Sequence, residues 1–152
     1  MPNRPNPVLN RTARRSERAS TPVILVVDDD HGVAQALTWW LDSIGARHVT
    51  VSTVGEAVEM LQDMTFIEER FDGLLVDFRL PDAEGCEVVR LFRAAFPQAP
   101  IAMITAFADE GLRNWLRDWR VRLIPKPLSK DSLAQWLKDI PPRAQGAGLE
   151  QP

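Results

Sequence analysis

The chain has 152 residues, of which 45% are hydrophobic and 26% charged, the balance of a globular domain large enough to bury a core. No apolar run approaches the ~18 residues of a membrane span, and the N-terminus lacks the apolar stretch of a secretory signal. The single cysteine, Cys86, excludes an intrachain disulfide and fits a reducing compartment; with only two histidines, soft ligands are too few for zinc, so any metal should be a hard cation on oxygen.

The net charge of −3 hides an asymmetry. Residues 1–20 carry five arginines and one glutamate, while residues 21–140 are net −7. The first segment is rich in Pro, Asn, Arg, Ser and Thr without periodicity, and reads as a disordered basic arm over 1–21. A binding arm for nucleic acid or a protein is the sharper alternative. A transit peptide would also be Arg-rich, but Pro2, Pro5 and Pro7 oppose the amphipathic helix it needs. At the other end, "PPRAQGAGLEQP" opens with two prolines that stop a helix, so 141–152 reads as a tail. The folded unit is 22–140.

Within it, strand-like and helix-like segments alternate. "VILVVD" (23–28) is a continuous apolar run, as expected of a parallel strand buried on both faces. Val33, Leu37, Trp40, Leu41 and Ile44 then recur at helical spacing, with Asp30 placed to cap the start and Gly45 to close the end. "HVTVS" (48–52) is a second strand and 54–63 a second helix. "DGLLVD" (72–77) is a third strand, followed by a helix over 86–95 stopped by Pro97. "IAMIT" (101–105) and a helix over 109–119 make the fourth unit. "VRLIP" (121–125) and a helix over 129–139, capped by Ser129, make the fifth. Five such units predict a parallel sheet with helices on both faces and right-handed crossovers. Ligands of such sheets bind beyond the carboxyl ends of the strands, at the switch point of strand order.

That edge is where the polar residues fall. Strand one ends in Asp28 and Asp29, strand three in Asp77, strand four in Thr105, and strand five runs into Lys126 and Pro127. Two carboxylates ~5 Å apart repel by ~3 kcal/mol at an effective dielectric of ~20, so three stay ionised only with compensation. Lys126 can lie against one of them, and a divalent cation can take the others; an oxygen-only pocket suits Mg2+.

"VVDDD", "LLVDFRLPDAEG", "MITA" and "IPKP" together resemble the receiver domain of two-component response regulators, over about residues 22–140. The resemblance implies a flavodoxin-like doubly wound (βα)5 fold with strand order 2-1-3-4-5. It implies that Asp77 accepts a phosphoryl group from a phosphohistidine on a histidine kinase or phosphotransfer protein. Asp28, Asp29 and Asp77 would hold Mg2+, with the backbone carbonyl of Arg79 completing the protein's share. Thr105 would be the switch hydroxyl and Lys126 the phosphoryl-pairing lysine, and Lys126–Pro127 would be cis. Pro81 and Gly85 would shape the loop beside the acceptor. A bacterial, cytoplasmic, stand-alone receiver is expected, since only the tail follows residue 140. It would signal by phosphorelay or by docking on a downstream protein rather than turn over a substrate, with no membrane or nucleic acid involved.

The chain departs from the family pattern at Leu123, where an aromatic usually couples to the switch hydroxyl. Phe107 and Arg79 occupy positions that tune hydrolysis, and their bulk and charge point to a long-lived phosphoryl state. Five tryptophans are many for this size. Trp40 reads as core. Trp115, Trp119 and Trp136 read either as filling around a reshaped fourth helix or as a dimer anchor on the helix 4–strand 5–helix 5 face. His31 and His48 read as surface or cap residues. Two rival functions share parts of this pattern. A haloacid-dehalogenase-like phosphatase would use Asp28 and Asp30 as its D-x-D, with Thr105 and Lys126, but leaves Asp77 unexplained. A receiver-shaped interaction module independent of phosphate would be consistent with Leu123.

Overall fold

The computed structural model describes residues 21–63 and 70–142. Five strands alternate with five helices: β1 (Val23–Val27), α1 (His31–Ser43), β2 (Arg47–Val51), α2 (Val54–Gln62), β3 (Gly73–Asp77), α3 (Cys86–Ala95), β4 (Ile101–Thr105), α4 (Glu110–Asp118), β5 (Val121–Pro125) and α5 (Lys130–Lys138). All strand pairs are parallel, in the order 2-1-3-4-5. This is the expected flavodoxin-like arrangement, with element ends within a residue or two of the sequence reading. The proposed arm and tail lie outside the described residues apart from Thr21, Pro141 and Pro142. No helix among the described residues is long and apolar enough to cross a membrane.

The run over 23–28 read as a doubly buried strand is one of the three central ones. Every residue of β1, β3 and β4 is buried, whereas the edge strands β2 and β5 are partly exposed. Alternation along each strand divides the core in two. Val23, Leu25 and Val27 face the layer built by α2, α3 and α4, whose centre is Phe71, Phe92 and Phe96 with ring centroids 5.0–6.3 Å apart. Ile24 and Val26 face the opposite layer, with Leu37 and Leu41 of α1 and Leu133 and Trp136 of α5.

The helix starts follow local chemistry. Asp30 caps α1, its carboxylate accepting from Gly32 and Val33 N–H. Ser129 caps α5, Thr53 caps α2 and Asp109 caps α4. Gly45, just beyond α1, has φ +76°, where a side chain would be strained. Ile44 departs from its expected place in the apolar stripe: it sits at the helix C-cap and is exposed. His31 opens α1 on the exposed side, and His48 Nε2 lies 2.8 Å from Asp42 at the surface.

Trp136 corrects the sequence reading. It is fully buried rather than displayed on a dimer face. The ring seats against β3 at Gly73, where an added Cβ would come within 3.0 Å of Trp136 Cη2 and Cζ2. A glycine inside a buried strand is the sequence mark of such close approach. Trp115 and Trp119 are half-buried, stack with centroids 5.4 Å apart, and pack on the α2–α3–α4 layer. They fill the space around the α4 exit, where Arg120 takes φ 57°.

Candidate functional site

Parallel strands in this order leave a crevice at the carboxyl edge between β1 and β3, where the connections leave in opposite directions. β1 delivers Asp28 and Asp29 there, and β3 delivers Asp77. Oxygens of these three carboxylates lie within 4.8 Å of one another. Asp28 and Asp77 are buried and Asp29 is exposed. β5 leads into Lys126, whose Nζ donates to Asp77 Oδ2 at 2.9 Å. The Lys126–Pro127 bond is cis, and Lys126 N–H donates to Thr105 O at 2.9 Å, tying the β5 exit to the β4 exit.

The Asp77 carboxylate is held on both oxygens, since Arg79 N–H donates to Asp77 Oδ1 at 3.2 Å. The loop beyond it is clamped by Gly85 N–H donating to Phe78 O at 2.7 Å and by a bridge between Arg79 and Glu84. Gly85 has no room for more. A Cβ there would sit 2.2 Å from the carbonyl oxygen of Asp77 itself. Gly85→Ala is therefore expected to cost about 3 kcal/mol of stability, read as a lower urea midpoint at unchanged m. An unchanged midpoint would show that the loop yields.

The sequence reading did not single out Asp82. Its carboxylate reaches across to α2 and accepts from Val54 N–H at 2.9 Å and Gly55 N–H at 2.8 Å. These two bonds hold its carboxyl below the usual range. Asp82 thus ties the loop after Asp77 to the start of α2. A proline–aspartate pair in a loop was the available signal, but its partners lie 27 and 28 residues away.

Thr105 is buried at the end of β4, with its hydroxyl turned into its own loop. It donates to Phe107 O at 3.0 Å and accepts from Phe107 N–H at 3.3 Å. The Phe107 ring is 77% exposed. Asp30 is turned to the α1 N-terminus, which removes it from the acidic cluster and leaves the D-x-D reading without its second carboxylate.

The charges explain what the cluster lacks. Burial, first, pushes the Asp28 carboxyl up to about 6; the Asp30 N–H bond and Lys126 oppose this, while Asp77 and Asp29 add to it. Burial works against the Lys126 ammonium, but the hydrogen bond and charge of Asp77, with Asp28 and Asp30, raise it overall. One ammonium against three carboxylates leaves two unpaired. At 4.8 Å, the widest separation in the cluster, and a dielectric of ~20, that remaining pair repels by ~3.5 kcal/mol. Asp28 Oδ2 is also buried without a hydrogen-bond partner. An orphaned carboxylate oxygen beside two others is a donor set that fits a hard divalent cation such as Mg2+.

A pH effect follows. The native state binds the Asp28 proton more tightly than the unfolded chain, so metal-free protein loses stability as pH rises from about 4 through about 6. Asp28→Asn removes that loss. Its Tm in chelator at pH 7.5 is expected to exceed the parent's by about 3–6 °C, with the gap closing toward pH 4. Equal Tm values at both pH values would refute the charge argument.

Comparison with known proteins gives a consistent result. Residues 24–138 match the family model described as the response regulator receiver domain. The response regulator protein PilR of Pseudomonas aeruginosa is 36% identical over 131 residues, which cover 83% of this chain and 28% of PilR. The sensor protein TorS of Escherichia coli is 29% identical over 84% of this chain, which spans 14% of TorS. Among solved structures, a CheY-like receiver domain protein from Methanospirillum hungatei superimposes with a TM-score of 0.70 at 26% identity, covering 79% of this chain and 93% of that one. The receiver domain of sensor histidine kinase PA1611 from Pseudomonas aeruginosa, with a magnesium ion coordinated in its active site cleft, gives 0.66 at 27% identity, covering 80% of this chain and 98% of that one. A chain whose strands bring the aspartates of "VVDDD" and "LLVD" to the lysine of "IPKP", and whose residues 24–138 match the receiver model, belongs to the response regulator receiver domain family.

Proposed function

We propose that this chain is a phosphoacceptor switch, a response regulator receiver spanning 22–140. Asp77 takes a phosphoryl group from the phosphohistidine of a sensor histidine kinase or a histidine phosphotransfer protein. An Asp77 carboxylate oxygen bonds to phosphorus, the N–P bond breaks, and the imidazole leaves with the electron pair. The observation that carries this reading is the carboxylate of Asp77 held between Lys126 Nζ and Arg79 N–H inside a three-carboxylate cluster. Phosphoryl transfer demands positioning and charge neutralisation above all, and these contacts supply both.

Mg2+, held by Asp28, Asp29, Asp77 and the Arg79 carbonyl, would neutralise the phosphoryl oxygens as charge develops. Lys126 exchanges its carboxylate partner for a phosphoryl oxygen. The Thr105 hydroxyl leaves Phe107 O and turns to the modified side chain. That movement releases the loop carrying the exposed Phe107, which offers a route to a downstream protein where Leu123 replaces the usual aromatic. A cytoplasmic switch acting through protein contacts accounts for the chain without turnover chemistry.

Incubating the full chain with acetyl phosphate and Mg2+ tests the reading. Intact mass is expected to rise by about 80 Da, with the label on the peptide carrying Asp77. No adduct would favour the alternative, a receiver-shaped module that works independently of phosphate.

A further inference from the structure

Where β4 and β5 begin, at the opposite end of the sheet from the aspartates, three arginines meet at a cavity of about 200 Å3. A strand of five residues, about 16 Å, separates the two ends. Arg93, Arg120, Arg122, Gln98, Trp136 and Asp139 are among the lining residues. Arg122 Nη2 is paired with Asp139 Oδ2 at 2.9 Å. Neither Arg93 nor Arg120 has a carboxylate partner among the described residues.

Arg93 is instead held by carbonyls. Its Nη1 donates to Ala99 O at 2.7 Å and Pro97 O at 3.4 Å, and its Nη2 to Arg120 O at 3.1 Å and Trp119 O at 3.2 Å. Arg120 Nη2 donates to Pro97 O at 3.1 Å. Carbonyl dipoles satisfy hydrogen bonds but leave the net charge in place. Three cations therefore face one anion, a local +2 on a body that is net −7. Burial first, and the Arg120 charge second, disfavour the Arg93 cation. Two lining residues also hold buried donors without acceptors, Arg93 Nε and Trp136 Nε1. Uncompensated charge is unfavourable, and one anion in the cavity would relieve it.

We propose that this cavity binds a small tetrahedral oxyanion, inorganic phosphate or the phosphate group of a small phosphomonoester, with Arg93 and Arg120 as its charge partners. The volume is below the ~300 Å3 at which pockets for larger organic ligands begin, which selects a compact ion. Arg93, its Nη groups spent on carbonyls, contributes charge, while Arg120, with a single bond from Nη2 to Pro97 O, contributes the N–H donors that suit such an oxyanion. The acidic cluster repels phosphate when no cation is present, so chelator isolates this site from the other.

The test uses the 15N-labelled full chain in EDTA at pH 7, titrated with sodium phosphate, then separately with glycerol 2-phosphate, against sodium chloride of equal ionic strength. One indole N–H resonance, assigned by its absence in Trp136→Phe, is expected to move and saturate with one or both phosphates and not with chloride. Arg120→Gln is expected to weaken binding about ten-fold, the loss of one charge-assisted contact. Thermal shifts under the same conditions provide a second readout that does not depend on Trp136→Phe folding: phosphate raises the parent's Tm by more than that of Arg120→Gln. Tighter binding of one phosphate identifies the source. Shifts that match chloride, fail to saturate, or saturate with undiminished affinity in Arg120→Gln would overturn the proposal.

Discussion

Asp77→Asn is expected to gain no phosphoryl adduct under conditions where the parent gains about 80 Da. The substitution keeps the side-chain shape but removes the anionic nucleophile, and an amide does not displace a leaving group from phosphorus. The fold should survive. Asp77 is one of three mutually repelling carboxylates, and asparagine relieves that repulsion while its carbonyl oxygen can still accept from Lys126. The variant's Tm in chelator is therefore expected to equal or exceed the parent's, so the lost adduct reports chemistry rather than unfolding. The control matters because Asp28 and Asp29 offer carboxylates within 4.8 Å. An undiminished adduct on Asp77→Asn would move the acceptor to one of them and end the assignment.

Trp136→Ala should have the largest effect on stability. The indole is fully buried in the layer formed with α1, in contact distance of β3 through the space that Gly73 leaves open. Removing a buried tryptophan costs about 3–5 kcal/mol, because transfer free energy is lost and the cavity closes only in part. For a domain of this size the Tm should fall by about 12 °C or more. The oligomeric state measured by light scattering should not change, since the ring reaches no surface. Trp136→Phe should fall much less and serves if the alanine variant does not fold. A variant that splits an oligomer while keeping the parent's Tm would restore the dimer-face reading.

The fold was legible because each level of the chain agrees. A continuous apolar run marked β1 as a strand buried on both faces, and the burial of every residue of β1, β3 and β4 follows from helices on both faces. The caps Asp30 and Ser129 were legible because a cap is a contact two or three residues long. The acidic set was legible through topology: parallel strands carry their last residues to one edge, so Asp28, Asp77, Thr105 and Lys126 had to converge there. The tryptophans were not legible in the same way. Helical spacing says that residues share a face, but which face turns inward depends on the sheet beneath it. Trp136 found its seat in a gap left by Gly73, 63 residues earlier.

By itself, then, the sequence determined the order of the elements, their helix caps and the edge at which the acidic residues gather, since these follow from local periodicity and the geometry of a parallel sheet. Only the tertiary structure decided that Asp82 fastens the loop after Asp77 to α2, that Gly85 lies against the Asp77 carbonyl, that Trp136 is core, and that Arg93, Arg120 and Arg122 surround one cavity. Those facts rest on contacts between groups far apart in the chain. Their distances are set by how two packed layers close on the sheet, a property that no local window contains.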